Sequence, residues 1–176
     1  MEEEQKQQRI HRIIQDLGSK NERRVIEALK LIPHEGTPQM IAPMIELFQH
    51  HPSKDVRILL EKTLFNLKDQ DCATPLIELL KSDAHKDVRQ KVLSTIWQSG
   101  LDVSEELELL VDIAVNSDYL TVIEVITIIE NLEDFNDDAL TDSIAKMDEV
   151  VGKQSETQDL LVSLRQLLLD KLLGEG

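Results

Sequence analysis

The residues of this chain that could do chemistry are its five histidines and its single cysteine. They are His11, His34, His50, His51, His85 and Cys72. A metal site on a helix needs ligands about four residues apart, so that they share one face. His50 and His51 are adjacent and predict a turn instead of a chelate. Cys72 falls at a predicted helix start, where a thiol pKa can be lowered. Because no histidine is close to it in sequence, we expect it to be inert.

Other signatures of catalysis are missing from the sequence. The six glycines are isolated, so no glycine-rich loop is present to hold a phosphate. No Gly-x-Ser-x-Gly segment is present to carry a serine nucleophile. We therefore expect a protein that is not an enzyme and that has no cofactor and no catalytic or metal site.

An internal repeat predicts the helices that would position any functional residue. Residues 42–48 (APMIELF) return as residues 74–80 (TPLIELL), and residues 54–57 (KDVR) return as residues 86–89. Both offsets are 32 residues. A fixed period of this size is typical of stacked supersecondary units, each of which buries its apolar face against its neighbours.

Apolar residues at helical spacing predict an all-α chain of ten helices in five antiparallel pairs. We expect a single repeat domain over residues 1–176. Its predicted units are residues 1–36, 37–69, 70–101, 102–133 and 134–176.

Two of the predicted helices stand out. Residues 119–132 are apolar on nearly every side and rich in Val and Ile, which suits a strand on propensity alone. Their length and their place in the repeat favour a buried helix. Residues 156–173 are rich in leucine, so a purely structural subunit that packs this helix on another copy is one alternative. The oligomeric state stays open.

The net charge of −15 is confined to the C-terminal part of the chain. Residues 1–97 hold 15 basic and 15 acidic residues, whereas residues 98–176 hold 4 basic and 19 acidic residues. This balance disfavours nucleic acid and anionic membrane surfaces as partners. The acidic half either keeps the protein in solution or would suit a basic protein partner.

Cellular location is indicated by three sequence features. A single cysteine cannot form an intrachain disulfide, the acidic N-terminus lacks the apolar region of a secretory signal, and no apolar run is long enough to span a bilayer. We expect a cytoplasmic protein.

The repeated segments resemble those of HEAT-repeat (armadillo-like) proteins with short, bacterial-style repeats. The second helix of each pair in that family commonly opens with Asp-Val-Arg, as at 55–57 and 87–89, and Pro43 and Pro75 match a proline near the start of the first helix. The resemblance is most specific over residues 38–100. It implies a right-handed α-α superhelical solenoid, and a non-catalytic scaffold or adaptor that binds a protein partner on its concave face.

The resemblance also implies a structural role for two arginines. In such stacks an Asp in the turn within each repeat pairs with the Arg of the next helix, forming a ladder. Asp83 with Arg57 or Arg89 fits this pattern, although His51 takes the place of the Asp one repeat earlier. A bidentate pair of this kind would fix the register between repeats. The alternative is that the arginines face a ligand.

Two aromatic residues mark a possible row for binding a partner. Phe65 and Trp97 are 32 residues apart, toward the ends of second helices, which line the concave face in HEAT proteins. With Glu61, Lys62 and Gln98 they would form a partner-binding surface. The alternative is that both rings fill the core between repeats.

Other HEAT-like proteins offer a competing functional class. Deoxyhypusine hydroxylase holds two irons with several His-Glu pairs, of which this chain has one, at His34-Glu35. DNA glycosylases of this fold need a basic groove, which the acidic charge disfavours. Phycobilin-lyase-type proteins share the repeats, but nothing in the sequence identifies a bilin pocket.

Overall fold

The computed structural model describes residues 2–32, 37–153 and 155–174, apart from the side chains of residues 2 and 83–85. Over these residues the chain forms ten α-helices and no β-strand, which confirms the all-α prediction. None of the helices in this described part combines the length and the apolar character needed to cross a bilayer. The predicted His34-Glu35 pair lies outside the described residues.

The helices follow one another through short connections. They are α1 (Glu2–Leu17), α2 (Glu22–Lys30), α3 (Pro38–His50), α4 (Lys54–Leu64), α5 (Ala73–Lys81), α6 (Arg89–Ser99), α7 (Leu107–Val115), α8 (Tyr119–Asn131), α9 (Asp137–Val150) and α10 (Gln158–Leu173). Short 3₁₀ segments span Gln70–Cys72, Asp83–Val88 and Ser104–Glu106.

The chain divides into two compact units. Unit 1 is Met1–Leu101 and unit 2 is Asp102–Gly176. The division falls at the boundary that the repeat predicts between its third and fourth helix pairs. Whether all five pairs form a single domain stays a prediction.

Unit 1 is built from two layers of helices. The first helices of each pair pack in the order α1, α3, α5, and the second helices in the order α2, α4, α6. Ser53 Oγ at the start of α4 donates to Glu22 Oε1 at the start of α2, at 2.8 Å. Ser99 Oγ at the end of α6 donates to the Leu64 carbonyl at the end of α4, at 2.7 Å. The N-terminal ends of α2 and α4 therefore lie together, as do the C-terminal ends of α4 and α6. The second helices thus run parallel.

Residues 32 apart are buried alike in unit 1. Val56 and Val88 are 0% and 4% exposed, and Leu64 and Ile96 are both 0% exposed. Each fully buried aliphatic side chain contributes about 1.5–3 kcal/mol relative to exposure. The repeated sequence thus supplies a repeated core.

The two copies of the Asp-Val-Arg sequence differ in local structure. Asp55 and Val56 lie inside α4, which Ser53 caps by accepting from the Val56 N–H at 3.4 Å. Asp87 and Val88 belong to the 3₁₀ segment, and α6 begins only at Arg89. The start of α6 is therefore three residues later than the repeat with α4 would place it.

Unit 2 repeats the two-layer arrangement. The helices α7 and α9 pack together, as do α8 and α10. Lys171 Nζ, near the end of α10, donates to the Leu132 carbonyl beyond the end of α8 at 2.7 Å, so these helices also run parallel. The expectation that α8 is buried on nearly every side is wrong, because Leu120 and Ile123 are exposed while Val122 and Val125 form the core.

Candidate functional site

Unit 1 contains an open cleft between α3, α4 and the 3₁₀ segment Asp83–Val88. Its volume is about 410 Å³. The lining combines apolar, cationic and acidic side chains, namely Phe48, Gln49, Lys54, Arg57, Ile58, Glu61, Asp87 and Val88. We call this the unit 1 cleft.

One wall of the cleft is fixed by Lys91 of α6. Its Nζ lies 2.5 Å from Glu61 Oε1, 5.1 Å from the centroid of the Phe48 ring and 5.3 Å from that of Phe65. An ammonium group within about 6 Å of a ring centroid is attracted by the π-electrons. These four side chains, the Lys91 cluster, join α3, α4 and α6.

Helix geometry explains why these residues meet. Glu61 and Phe65 are four residues apart, the spacing that places two side chains on one helix face. Phe48 lies in the last turn of α3, and Lys91 is the third residue of α6. The packing of α4 against both α3 and α6 brings all four together.

A hydrogen bond between α3 and the 3₁₀ segment forms another part of the cleft. Gln49 Nε2 donates a short hydrogen bond to Asp87 Oδ2, which ties the 3₁₀ segment to that helix. Ile58 is 41% exposed at the cleft. The side chains of Lys54 and Arg57 are exposed beside it and donate no hydrogen bond to another described residue. The cleft therefore offers an apolar side chain next to two cations.

The five predicted partner-binding residues do not all share this cleft. Glu61 lines the cleft. Phe65 does not line it, but its ring contacts Lys91, which pairs with Glu61. Lys62 lines a separate groove of about 360 Å³ beside Lys30 and Leu59, between α2 and α4. Trp97 is half-buried and Gln98 is exposed on α6, and neither lines the cleft. Their role in binding a partner stays a prediction.

The predicted ladder depends on one side chain that lies outside the described residues. Arg57 is exposed and lines the cleft. Arg89 is half-buried, and its Nε is shielded from solvent without a hydrogen bond to the described residues. The side chain of Asp83 lies outside the described residues, so the ladder stays a prediction.

Sequence reasoning missed two members of the Lys91 cluster. Neither Phe48 nor Lys91 is among the residues that the sequence predicts to bind a partner. A signal was present, because the repeat places Lys91 where the preceding copy has Leu59. A lysine in place of a leucine, at a position where second helices pack, marks a site that departs from the common core.

The residues that could do chemistry lie apart from this cleft. Cys72 is fully buried, and burial together with the charges of Asp69 and Asp71 raises the pKa of its thiol to about 11. These effects exceed any lowering of the thiol pKa by the nearby helix N-terminus. His51 Nδ1 accepts from the Ser53 N–H at 3.2 Å in the turn after α3. Among the described residues, no group of three or more His, Cys, Asp or Glu could hold a metal ion.

Comparisons with protein-family models, with curated proteins and with solved structures each gave no match. The resemblance to HEAT repeats therefore rests on the sequence motifs given above.

Proposed function

We propose that the chain is a non-catalytic scaffold for protein–protein interaction, and that the unit 1 cleft binds a segment of a partner protein. The observation that carries the proposal is the cleft itself. Ile58 is exposed beside two cationic side chains, on helices that the Lys91 cluster holds in place. A surface held rigid before binding loses less conformational entropy on association.

The proposal includes a HEAT-like architecture. The 32-residue period and the parallel packing of α2, α4 and α6 support it, since stacked pairs of this kind place like helices side by side. The right-handed superhelix and its concave binding face belong to the same proposal.

The chemistry of the cleft favours one kind of partner segment. An apolar side chain would contact Ile58, and an adjacent carboxylate would pair with Arg57, whose guanidinium can bind it through two parallel hydrogen bonds. Arginine is over-represented among the residues that dominate binding energy at interfaces. We therefore expect a segment that carries an acidic residue beside an apolar one.

Affinity capture from a lysate of the source organism, quantified by mass spectrometry, tests the proposal. The variant carries Ile58→Asp and Arg57→Glu, and Leu31→Asp is the matched control. Leu31 is 51% exposed in the same unit and does not line the cleft. We expect at least one protein that the wild type and the control capture equally and that the cleft variant loses at least tenfold. Equal capture by all three would contradict the proposal.

A further inference from the structure

A second exposed apolar surface lies on unit 2. Tyr119 and Leu120 are 52% and 56% exposed in the first turn of α8, and Ile123 is 38% exposed one turn later. On the neighbouring helix α10, Val162 is 45% exposed. Apolar side chains that are grouped on a surface mark interaction sites more often than single ones do.

The direction of the two helices places these four residues at one end. Lys171 donates to the carbonyls of Glu130, at 3.3 Å, and Leu132, at 2.7 Å, which joins the C-terminal ends of α8 and α10. At about 1.5 Å rise per residue, both helices extend about 20 Å back from there. Their first two turns, which carry the exposed apolar residues, therefore lie at the same opposite end.

Carboxylates border this end of the helix layer. Asp118 is the N-cap of α8 and accepts from the Thr121 N–H at 2.9 Å, which lowers the pKa of its carboxyl and keeps it ionised. Glu156 and Asp159 are exposed at the start of α10. The two helix N-termini contribute about half a positive charge each, which offsets about one of the three negative charges.

Most of the basic residues of unit 2 are engaged away from this border. Lys146 pairs with Asp112, and Arg165 Nε pairs with Asp148 at 2.5 Å. Lys171 is held by the carbonyls at the far end of α8. Three of the four basic residues in residues 98–176 are thus engaged elsewhere, and only two of the 19 acidic residues in that part of the chain, Asp112 and Asp148, are the partners in these ion pairs.

We propose that Tyr119, Leu120, Ile123 and Val162, with the carboxylates of Asp118, Glu156 and Asp159, form a docking site for a basic amphipathic helix of a partner protein. We call this the unit 2 patch. Charge selects the occupant, because a second copy of unit 2, a nucleic acid or an anionic membrane would be repelled. The inference rests on the proposed function as a scaffold, but it concerns a separate site.

Fluorescence anisotropy with a labelled synthetic peptide tests the inference on the full chain. The peptide is an amphipathic helix with leucine on one face and Lys and Arg on the other, and its control carries Glu in place of every Lys and Arg. We expect the basic peptide alone to bind, more weakly as salt is added. The paired change Leu120→Ser with Ile123→Ser should raise Kd about tenfold or more.

A charge variant separates local recognition from general attraction. Asp118→Asn, Glu156→Gln and Asp159→Asn remove three charges while Asn still caps α8. The matched control, with Glu105→Gln, Glu108→Gln and Glu133→Gln, removes three exposed carboxylates elsewhere in unit 2. The first variant should raise Kd about tenfold at low salt, and the control less than threefold. Circular dichroism confirms that each variant is folded.

Three results would overturn the inference. The first is binding of the acidic peptide as tightly as the basic one, and the second is an equal rise in Kd for the two charge variants. The third is an unchanged Kd in the variant with Leu120→Ser and Ile123→Ser. The Ile58→Asp variant of the unit 1 cleft should leave the peptide Kd within twofold. If the peptide fails to bind while a captured protein still depends on Ile58, the inference fails alone and the proposed function stands.

Discussion

Lys91 is the residue whose contacts connect the most elements of unit 1. Its ammonium group meets a carboxylate and two aromatic rings that come from two other helices. Its side chain is 23% exposed, so the charge is partly shielded from water and its interactions are stronger than those of a fully exposed lysine. Its methylene groups also cover apolar surface.

The contribution of the charge can be measured with Lys91→Met, which keeps a long apolar side chain. We expect a loss of about 1 kcal/mol in the free energy of unfolding, because a cation–π contact and a partly shielded ion pair are removed. In a double-mutant cycle with Phe65→Leu, the coupling should be about 0.5–1 kcal/mol. The readout is urea unfolding followed by the fluorescence of Trp97, the only tryptophan.

The control is Lys62→Met, the same change at an exposed lysine of α4 that lies outside the cluster. It should alter stability by less than about 0.5 kcal/mol. Equal effects at positions 62 and 91, or no coupling with Phe65, would show that the Lys91 cluster does not stabilise the cleft.

Cys72 should be unreactive in the folded protein. With a pKa of about 11, about one thiol in a thousand is ionised at pH 8, and the thiolate is the species that reacts. We expect alkylation by iodoacetamide to be at least about 100-fold slower than in urea, and to keep rising with pH beyond 9. Mass spectrometry follows the modification. Fast labelling of the folded protein at pH 7 would contradict the burial of this residue.

At the scale of elements, local signals in the sequence were sufficient for much of the fold. Asn21 and Ser53 are of the residue types that favour helix N-caps and both are N-caps here, since a cap depends on a few neighbouring residues. By residue type Asp71 could cap the fifth helix, but Asp69 caps a 3₁₀ turn there and α5 starts at Ala73. Two aspartates separated by one residue make this choice ambiguous from the sequence alone.

Features that depend on tertiary packing could not be predicted in the same way. The packing of α8 against α7 and α10 decides which of its sides is exposed. Its sequence could not predict that side, because it is apolar on nearly every side. The meeting of Phe48 with Lys91 depends on the packing of three helices. The 32-residue offset predicted which residues are equivalent, but it did not predict which of them touch.

The end of α6 offers a test of helix termination. Gly100 has φ +67°, in the left-handed region, and a Cβ there would meet no atom within 4 Å. Gly100→Ala should therefore cost about 1 kcal/mol, entirely from backbone strain. Gly18→Ala after α1 is the matched control and should be nearly neutral, because a Cβ there makes only ordinary contact, at 3.6 Å. Urea unfolding measures both, and equal effects would contradict the left-handed cap.

At the scale of the whole molecule, charge divides the sequence at the same place as the structure does. Residues 1–97 are neutral, and residues 98–176 carry the entire net charge of −15. The boundary between the two compact units lies at residues 101 and 102. The units therefore present surfaces of different chemistry, a mixed cleft in unit 1 and an acidic patch in unit 2.

This division predicts a salt effect that differs between the units. Raising sodium chloride from about 0.05 to 0.5 M screens the repulsion among carboxylates, so unit 2 should gain about 0.5–1 kcal/mol of stability and unit 1 less. Hydrogen exchange measured by mass spectrometry gives the opening free energies of α7 to α10 and of α2 to α6 separately. An equal gain in both units would contradict this reading of the charge.

The most direct test of the central claim is site-specific photo-crosslinking at the unit 1 cleft. A benzoylphenylalanine residue replaces Ile58 in one protein and Leu31 in the control, and both are irradiated in cells of the source organism. We predict that position 58 captures a defined partner protein that position 31 does not. Absence of any cross-link specific to position 58, with both proteins folded, would contradict the account.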